Sequence, residues 1–170
     1  MKAVITLSKT FFKDHFRNGK ETHFKGKVLY GQKKHTCRGN YNYWKDRIDK
    51  VKERGGALSL REWIGKPYRS KQQVIKEVPA DIVGIQKLTL SRRNVALSDS
   101  FNLGVKLYNY ETIVDGVKVP LELLAENDGL SKNEFIDWFK PAFKRVEKEN
   151  GSSNYIEIEF AVIHFTKDRY

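Results

Sequence analysis

The chain has 170 residues and carries 32 Lys and Arg against 21 Asp and Glu, which gives a formal net charge of +11. This length predicts one domain, and its 10 Phe, 8 Tyr and 3 Trp exclude a disordered chain, because they are enough to build a core. The single cysteine, Cys37, excludes an internal disulfide framework and a zinc cluster built from cysteines.

The first half of the chain is predicted to contain short strands and one clear helix. Apolar residues spaced three and four apart predict a helix over Tyr43–Arg54, ended by the glycine pair that follows it. The segment 9–27 is compatible with a helix or a loop, and 33–38 with a strand or an extended loop. Further strands are predicted at residues 3–7, 57–63 and 72–77.

The second half is predicted to be mainly antiparallel. The Asp115-Gly116 pair between two apolar runs is a strong hairpin signal. Polar composition over Arg92–Gly104 predicts a surface loop. Strands are predicted at residues 82–90 and 156–166.

Two helices are also predicted in this half. A short one covers Pro120–Ala125, with proline at its start. The next begins with a capping box made by Ser131 and Glu134, and Pro141 is expected to kink or end it. About six strands and three or four helices together predict a mostly antiparallel α+β fold with a curled sheet or barrel.

Positive charge is concentrated in the first half of the chain. Residues 1–76 carry 20 Lys and Arg against 6 Asp and Glu, a net charge of +14, whereas residues 77–170 carry 12 against 15, a net charge of −3. A segregated positive field attracts polyanions, because neutralised phosphates release counterions. The asymmetry favours nucleic acid or a nucleotide as the partner over a surface that only maintains solubility. An anionic membrane is disfavoured, because the basic residues are scattered among aromatic ones rather than gathered on one amphipathic helix.

The densest group of reactive residue types is Gly31–Asn40. In an extended segment Thr36 and Arg38 share one face while Lys33 and Cys37 share the other, although a loop or bulge would bring Lys33 beside Thr36. A buried lysine can activate a neighbouring hydroxyl as a nucleophile, whereas an exposed lysine binds phosphate. A catalytic dyad of this kind also needs a carboxylate partner. By composition alone, a basic surface strand is the simpler interpretation.

A second candidate site is a basic segment interleaved with aromatic residues. Basic groups can hold a sugar-phosphate backbone, and aromatic rings can stack on bases. The side chains that would make these contacts are Arg61, Trp63, Lys66, Tyr68, Arg69 and Lys71. An equally simple interpretation is a loop whose Trp and Tyr cover the core edge while its basic side chains are solvated.

Other chemistries are disfavoured by the sequence. His15, His23 and His35 have no zinc-ligand spacing with a cysteine, and motifs for nucleotide cofactors or serine hydrolases do not occur, so neither a metal nor a cofactor is expected. His164 is predicted to be a satisfied core histidine, and Cys37 a half-buried thiol. The sequence has no apolar run of membrane-spanning length, its first apolar stretch is too short for a signal peptide, and its lone cysteine fits a reducing compartment. Together these features predict a cytoplasmic protein.

Two short elements resemble the ASCH domains of the PUA-like superfamily. Residues 31–38 have the pattern G-x-K-x-x-T-x-R and follow the aromatic segment 11–16, as the family's signature follows a short helical region. Residues 127–135, which contain an acidic residue, a glycine turn and a helix start, are similar to the later family element. The strand over 155–165 is similar in position to the family's final strand. The resemblance implies one domain over residues 1–170, a small β-barrel with flanking helices, and additions near 41–76 and 92–104.

The resemblance also implies a cleft that contains these motifs and binds RNA or other nucleic acids. Some small bacterial members are similar to amidohydrolases that use a Lys, a Thr and a Glu to remove an acyl group from acetylated cytidine. Carried over by position, Lys33 and Thr36 match the first two residues. The acidic position falls on Asp128, which is one methylene shorter than Glu, and Glu126 is a less well-registered substitute.

Three functions are compatible with the sequence, and whether the protein is an enzyme stays open among them. The favoured one is a non-catalytic module that binds RNA, single-stranded nucleic acid or a modified nucleoside, in which Lys33, Arg38 and the second basic segment contact phosphates. The alternative is an amidohydrolase acting on acetylated cytidine, with Thr36 as nucleophile, Lys33 as its activator and Asp128 as the acid/base residue. A nuclease is a weaker third hypothesis, because the sequence shows no recognisable metal-ligand cluster.

Overall fold

A computed structural model describes residues 1–95 and 107–170, which form a mixed α+β fold with two mostly antiparallel sheets. The strands of this part of the chain are β1 (Lys2–Thr6), β2 (His35–Arg38), β3 (Ala57–Trp63), β4 (Gln72–Pro79), β5 (Gly84–Val95), β6 (Leu107–Val114), β7 (Val117–Lys118) and β8 (Tyr155–His164). The helices are α1 (Phe24–Leu29), α2 (Tyr41–Glu53), α3 (Leu121–Asn127) and α4 (Lys132–Asn150).

The smaller sheet has the order β1-β3-β4, and the larger one has the order β2-β8-β5-β6-β7. Only the β1–β3 pairing is parallel among the pairings of the described residues. The predicted α+β class with mainly antiparallel pairing is therefore confirmed. The two sheets do not close into a barrel within the described ranges, so the barrel form of that prediction is not confirmed.

The predicted hairpin and capping box are present, with small shifts at the ends of most elements. β6 and β7 meet at Asp115-Gly116, where both residues have positive φ angles, as a tight hairpin turn requires. Ser131 caps α4 by accepting a hydrogen bond from the backbone N–H of Glu134, and the Glu134 carboxylate accepts one from the backbone of Ser131.

In the second half, part of the predicted loop is wrong, and so is one of the two alternatives given for Pro141, that it ends the helix. Arg92–Val95 belong to β5 rather than to a surface loop, because β5 lies between β6 and β8 and is hydrogen-bonded on both edges. The rest of the predicted loop, 96–104, lies outside the described residues. Pro141 does not end α4, which continues to Asn150. Buried Phe139 and Phe143 on either side of the proline hold both halves of the helix against the core, which offsets the lost backbone hydrogen bond.

The segment before α1, for which helix and loop were both open, is held against α4 by side-chain contacts. The ring of Trp138 packs against Phe11, Phe12 and Phe24, with ring centroids 5.4 to 5.8 Å apart. The buried imidazole of His15 makes a 3.0 Å hydrogen bond with a backbone carbonyl of α4. This packing places α1 beside the start of β2.

Three backbone hydrogen bonds fix the chain just before β2. Lys33 N–H donates to a carbonyl of α1 at 2.9 Å, and Lys34 N–H donates to Asn127 at 2.7 Å. The carbonyl of Lys34 accepts from Phe165, after β8, at 2.7 Å. Three distant parts of the sequence therefore converge on residues 33 and 34.

Within the described residues, no helix has both the length and the apolar character that crossing a membrane requires.

Candidate functional site

A buried ion pair joins the two motifs that carry the family resemblance. The Lys33 ammonium contacts the Asp128 carboxylate and also donates to the Asp128 backbone carbonyl at 2.5 Å. Their side chains are only 1% and 5% exposed, although 95 residues separate them in sequence. Glu126, the substitute considered for Asp128, is exposed and lines a separate outer groove. The structure thus selects Asp128 as the carboxylate that meets Lys33.

Burial affects the proton affinity of both partners. Loss of solvent lowers the pKa of Lys33, and the attraction of Asp128 opposes that shift. Burial raises the pKa of Asp128, and the Lys33 ammonium opposes that shift in turn. The ammonium also lies 4.2 Å from the centroid of the Phe24 ring, an additional favourable contact for a cation. Burial therefore brings the Lys33 ammonium closer to losing its proton than the ammonium of a solvated lysine.

The ion pair forms part of a narrow cleft with polar and apolar walls. The polar side chains that line it are Ser8, Lys33, Thr36, Cys37, Arg38 and Asp128. The apolar side chains that line it are Leu7, Phe24, Leu130 and Trp138. Its volume is about 20 Å³, enough for about one water molecule, whereas pockets for drug-sized ligands are roughly 300 Å³ or more. A nucleobase can therefore insert only if the side-chain walls move apart.

Thr36 and Lys33 line the same cleft. This agrees with the alternative in which a loop or bulge, rather than an extended strand, brings Lys33 to the side of Thr36. Lys33 precedes the first residue of β2, so strand alternation does not separate it from Thr36. Thr36 is only 6% exposed and is one of the residues that line the cleft. Lys33, Thr36 and Asp128 therefore lie within one site, as the amidohydrolase hypothesis requires.

Arg38 also lies at the cleft rather than on the open surface. Its Nη2 donates to the backbone carbonyl of Thr6 at 2.7 Å, which fixes the guanidinium group. Its Nε is buried and has no hydrogen-bond partner in the described part of the chain. Arg38 and Lys33, which the sequence predicts to contact phosphates, both line the cleft.

The buried thiol of Cys37 is poorly suited to act as the nucleophile. It is more buried than the half-buried thiol predicted from the sequence. Burial, together with the nearby Asp128 carboxylate, raises the pKa of Cys37 well above its ordinary value. The thiol therefore stays protonated at neutral pH.

One group of side chains has donor atoms close enough to hold a metal ion. One ligand atom each from His35, Cys37 and Asp128 lies within 4.8 Å of the others, and all three residues are buried. The sequence expectation of no metal did not consider this trio, because Asp128 is far from the other two along the chain. The Lys33 ammonium already neutralises the Asp128 carboxylate and would repel a divalent cation. The donor set suits Zn²⁺ in kind, but the ion pair opposes its binding.

The second predicted site is an exposed loop beside the cleft. Lys66, Tyr68, Arg69 and Lys71 are exposed, and Tyr68 is 90% exposed. The alternative interpretation of this loop expected Tyr68 to cover the edge of the core. Its exposure shows that Tyr68 does not cover that edge. The half-buried Trp63 lies behind it, with ring centroids 5.3 Å apart. The loop therefore presents an aromatic face among three basic side chains.

The basic loop and the cleft are joined through the chain that follows β1. The Leu7 N–H donates to the carbonyl of Arg61 at 2.7 Å, and Leu7 itself lines the cleft. The Lys9 ammonium reaches the carbonyl of Ile64 at 3.5 Å. Arg61 is half-buried, and its Nε donates to Ser59 at 2.9 Å, so it supports the loop more than it extends from it. The loop and the cleft can thus contact one extended ligand.

Sequence reasoning missed the aromatic walls and the network behind β2. Trp138 lies on the apolar stripe of α4, a sequence pattern that does not separate a core-facing ring from a cleft wall, and nothing in the pattern around Phe24 indicates a cleft. The hydroxyl of Tyr170 is hydrogen-bonded to the imidazole of His35 at 2.7 Å and accepts from Asn127 at 2.9 Å. His164 is buried as predicted, but its Nε2 has no partner among the described residues, so the prediction that it is satisfied is wrong.

Comparisons with models of known protein families, with curated proteins and with solved structures find no match to this chain. The resemblance to ASCH domains therefore depends on the sequence motifs alone.

Proposed function

We propose that this protein is a nucleic-acid-binding or modified-nucleoside-binding module of the ASCH and PUA-like type, with single-stranded RNA as its favoured ligand. The observation that carries the proposal is the convergence of Lys33, Thr36, Arg38 and Asp128 on one aromatic-walled cleft beside a basic loop. In this proposal one base inserts into the cleft while the flanking phosphates lie along the loop.

The composition of the cleft supports a base as the inserted group. Phe24 and Trp138 offer planar surfaces on which a base can stack. Arg38 is a hydrogen-bond donor, the Asp128 carboxylate is an acceptor, and the Thr36 hydroxyl can be either. Polar edges and flat apolar faces are the two features of a nucleobase, and this cleft offers partners for both.

The exposed loop supports a phosphate backbone as the rest of the ligand. Lys66, Arg69 and Lys71 are exposed cations, and Tyr68 stands among them as a stacking surface. Basic groups at this position extend the positive charge of residues 1–76 to the edge of the cleft. A free nucleoside would use the cleft and leave the loop unused.

The test is the salt dependence of RNA affinity in two charge-matched triple variants. Lys66→Gln/Arg69→Gln/Lys71→Gln should weaken binding of single-stranded RNA and reduce the slope of log K against log salt by about 2, at roughly 0.7 per phosphate contact. Lys144→Gln/Arg145→Gln/Lys148→Gln removes the same charge from exposed positions of α4 and should leave the slope nearly unchanged. Equal losses in both variants would show that net charge alone drives binding, and a wild-type affinity independent of salt would overturn the proposal.

A second function, hydrolysis of an acyl group from acetylated cytidine, is favoured by the meeting of Lys33, Thr36 and Asp128 in one cleft. Thr36 Oγ would attack the amide carbonyl while Lys33, after passing its own proton to Asp128, accepts the hydroxyl proton. The amino group would leave with a proton returned through the Lys33–Asp128 pair, and water would then hydrolyse the threonyl ester. The lowered pKa of Lys33 supports its role as a base.

Turnover of N4-acetylcytidine tests this second function. Thr36→Ala should abolish turnover while Thr36→Ser retains part of it, because only serine keeps the hydroxyl. Asp128→Glu restores the carboxylate length found in the family and should retain or raise turnover. Normal turnover by Thr36→Ala would exclude this mechanism. If the wild type binds the nucleoside but does not hydrolyse it, only the binding function is supported.

A further inference from the structure

Arg38, which lines the cleft, has a buried hydrogen-bond donor without a partner among the described residues. Arg38 has five N–H donors and no acceptor, and its guanidinium stays charged in proteins. Nη2 is occupied by the Thr6 carbonyl, whereas Nε is buried without a partner in the described part of the chain. Buried donors are nearly always paired in folded proteins, so an unpaired one in a cleft points to a partner supplied from outside.

The remaining space in the cleft limits what that partner can be. A volume of about 20 Å³ suits one water-sized group. An exocyclic carbonyl oxygen of a base is such a group and is a single acceptor. A phosphate brings four oxygens and a negative charge that would approach the Asp128 carboxylate.

We infer that Arg38 is a specificity-determining residue of this cleft, whose Nε donates to a ring carbonyl oxygen of the inserted base. This inference depends on the proposed nucleobase site and adds which atom of the base is recognised. A cytosine-type base presents its carbonyl oxygen at position 2, and its amino side remains for the acceptors Asp128 and Thr36. The loop cations serve the phosphates, and Arg38 serves the base.

The experiment compares cytidine with 2-thiocytidine, in which sulfur replaces the carbonyl oxygen and is a much weaker acceptor. Dissociation constants are measured for the wild type, Arg38→Lys and Arg38→Met. The wild type should bind cytidine at least tenfold more tightly, because a hydrogen bond from a charged donor is worth roughly a factor of ten or more. In Arg38→Met the ratio should fall towards one, and in Arg38→Lys it should fall at least severalfold.

Arg47→Lys is the matched control, because Arg47 on α2 also has an Nε without a partner but does not line the cleft. It should keep the wild-type ratio. Because the readout is a ratio of two ligands on one protein, partial loss of folded protein in a variant does not change it.

Each result has a distinct meaning. A wild-type ratio near one, or a ratio that stays at the wild-type value in Arg38→Met, overturns the role of Arg38 while leaving the nucleobase site intact. If the wild type binds neither nucleoside but binds single-stranded RNA, the ratio is measured on cytidine and 2-thiocytidine trinucleotides with the same criteria. Failure to bind nucleosides, trinucleotides and longer RNA alike overturns the proposed function, and the role of Arg38 with it.

Discussion

Replacing Lys33 with Met tests whether the buried ion pair holds the two motifs together. The change leaves the Asp128 carboxylate buried without its counter-ion, and truncating one partner of a buried pair costs about 3–5 kcal/mol of unfolding free energy. For a domain of this size that loss corresponds to a fall in Tm of roughly 10 °C. The double variant Lys33→Met/Asp128→Asn removes both charges and should recover most of the lost stability, because no unpaired buried charge remains.

The assay is urea unfolding followed by circular dichroism, with the four proteins of a double-mutant cycle. Lys45→Met, which breaks the exposed Lys45–Asp49 pair on α2, is the control and should change the midpoint very little, because exposed pairs contribute little. A double variant as unstable as the sum of the two single variants would show that the two charges are not coupled, and would contradict the contact between Lys33 and Asp128.

Three further predictions concern pH, backbone conformation and capping. Burial lowers the pKa of His164 from 6.5 to about 4, so its contribution to stability is fully present above pH 6.5 and is lost as the pH falls towards 4, by at most about 3 kcal/mol. His164→Phe should therefore reduce the pH dependence of the free energy of unfolding. Gly129→Ala should lower the free energy of unfolding by about 1–2 kcal/mol, because the φ of Gly129 is +77° and the added methyl group meets the Cβ of Lys33 at 3.2 Å. Gly151→Ala, at φ +83° with open space around it, should cost less in the same urea titration. Ser131→Ala removes the cap of α4 and should cost about 1 kcal/mol of unfolding free energy, measured by the same urea titration; no loss would contradict the capping role.

Local patterns were sufficient to predict most elements, because their signals act over a few residues. The helix of residues 41–53, the hairpin at Asp115-Gly116 and the Ser131 cap each follow from the spacing of neighbouring residues. The mistakes arose where long-range packing dominates. Arg92 and Arg93 are charged but lie in a strand paired on both edges, and Pro141 lies within a helix whose phenylalanines on either side of it are buried.

The candidate site was only partly predictable for the same reason. The motif residues Lys33, Thr36 and Asp128 were identified from sequence, but their contact across 95 residues depends on how α1, β2 and the end of α3 pack. The aromatic walls were not identified, because a tryptophan on an apolar helix stripe has the same pattern whether it faces a core or a cleft. The role of Arg38 required knowing that one of its donors is buried and unpaired.

The most direct test of base insertion is to map where a cytidine-containing single-stranded trinucleotide binds to the 170-residue chain, by amide chemical-shift perturbation. Insertion beside the Lys33–Asp128 pair predicts that the largest shifts fall in residues 33–38 and 128–130, with smaller ones in the loop over 64–71. Shifts confined to the loop, or spread evenly over the positive surface without the cleft, would contradict the claim that a base inserts beside the Lys33–Asp128 pair.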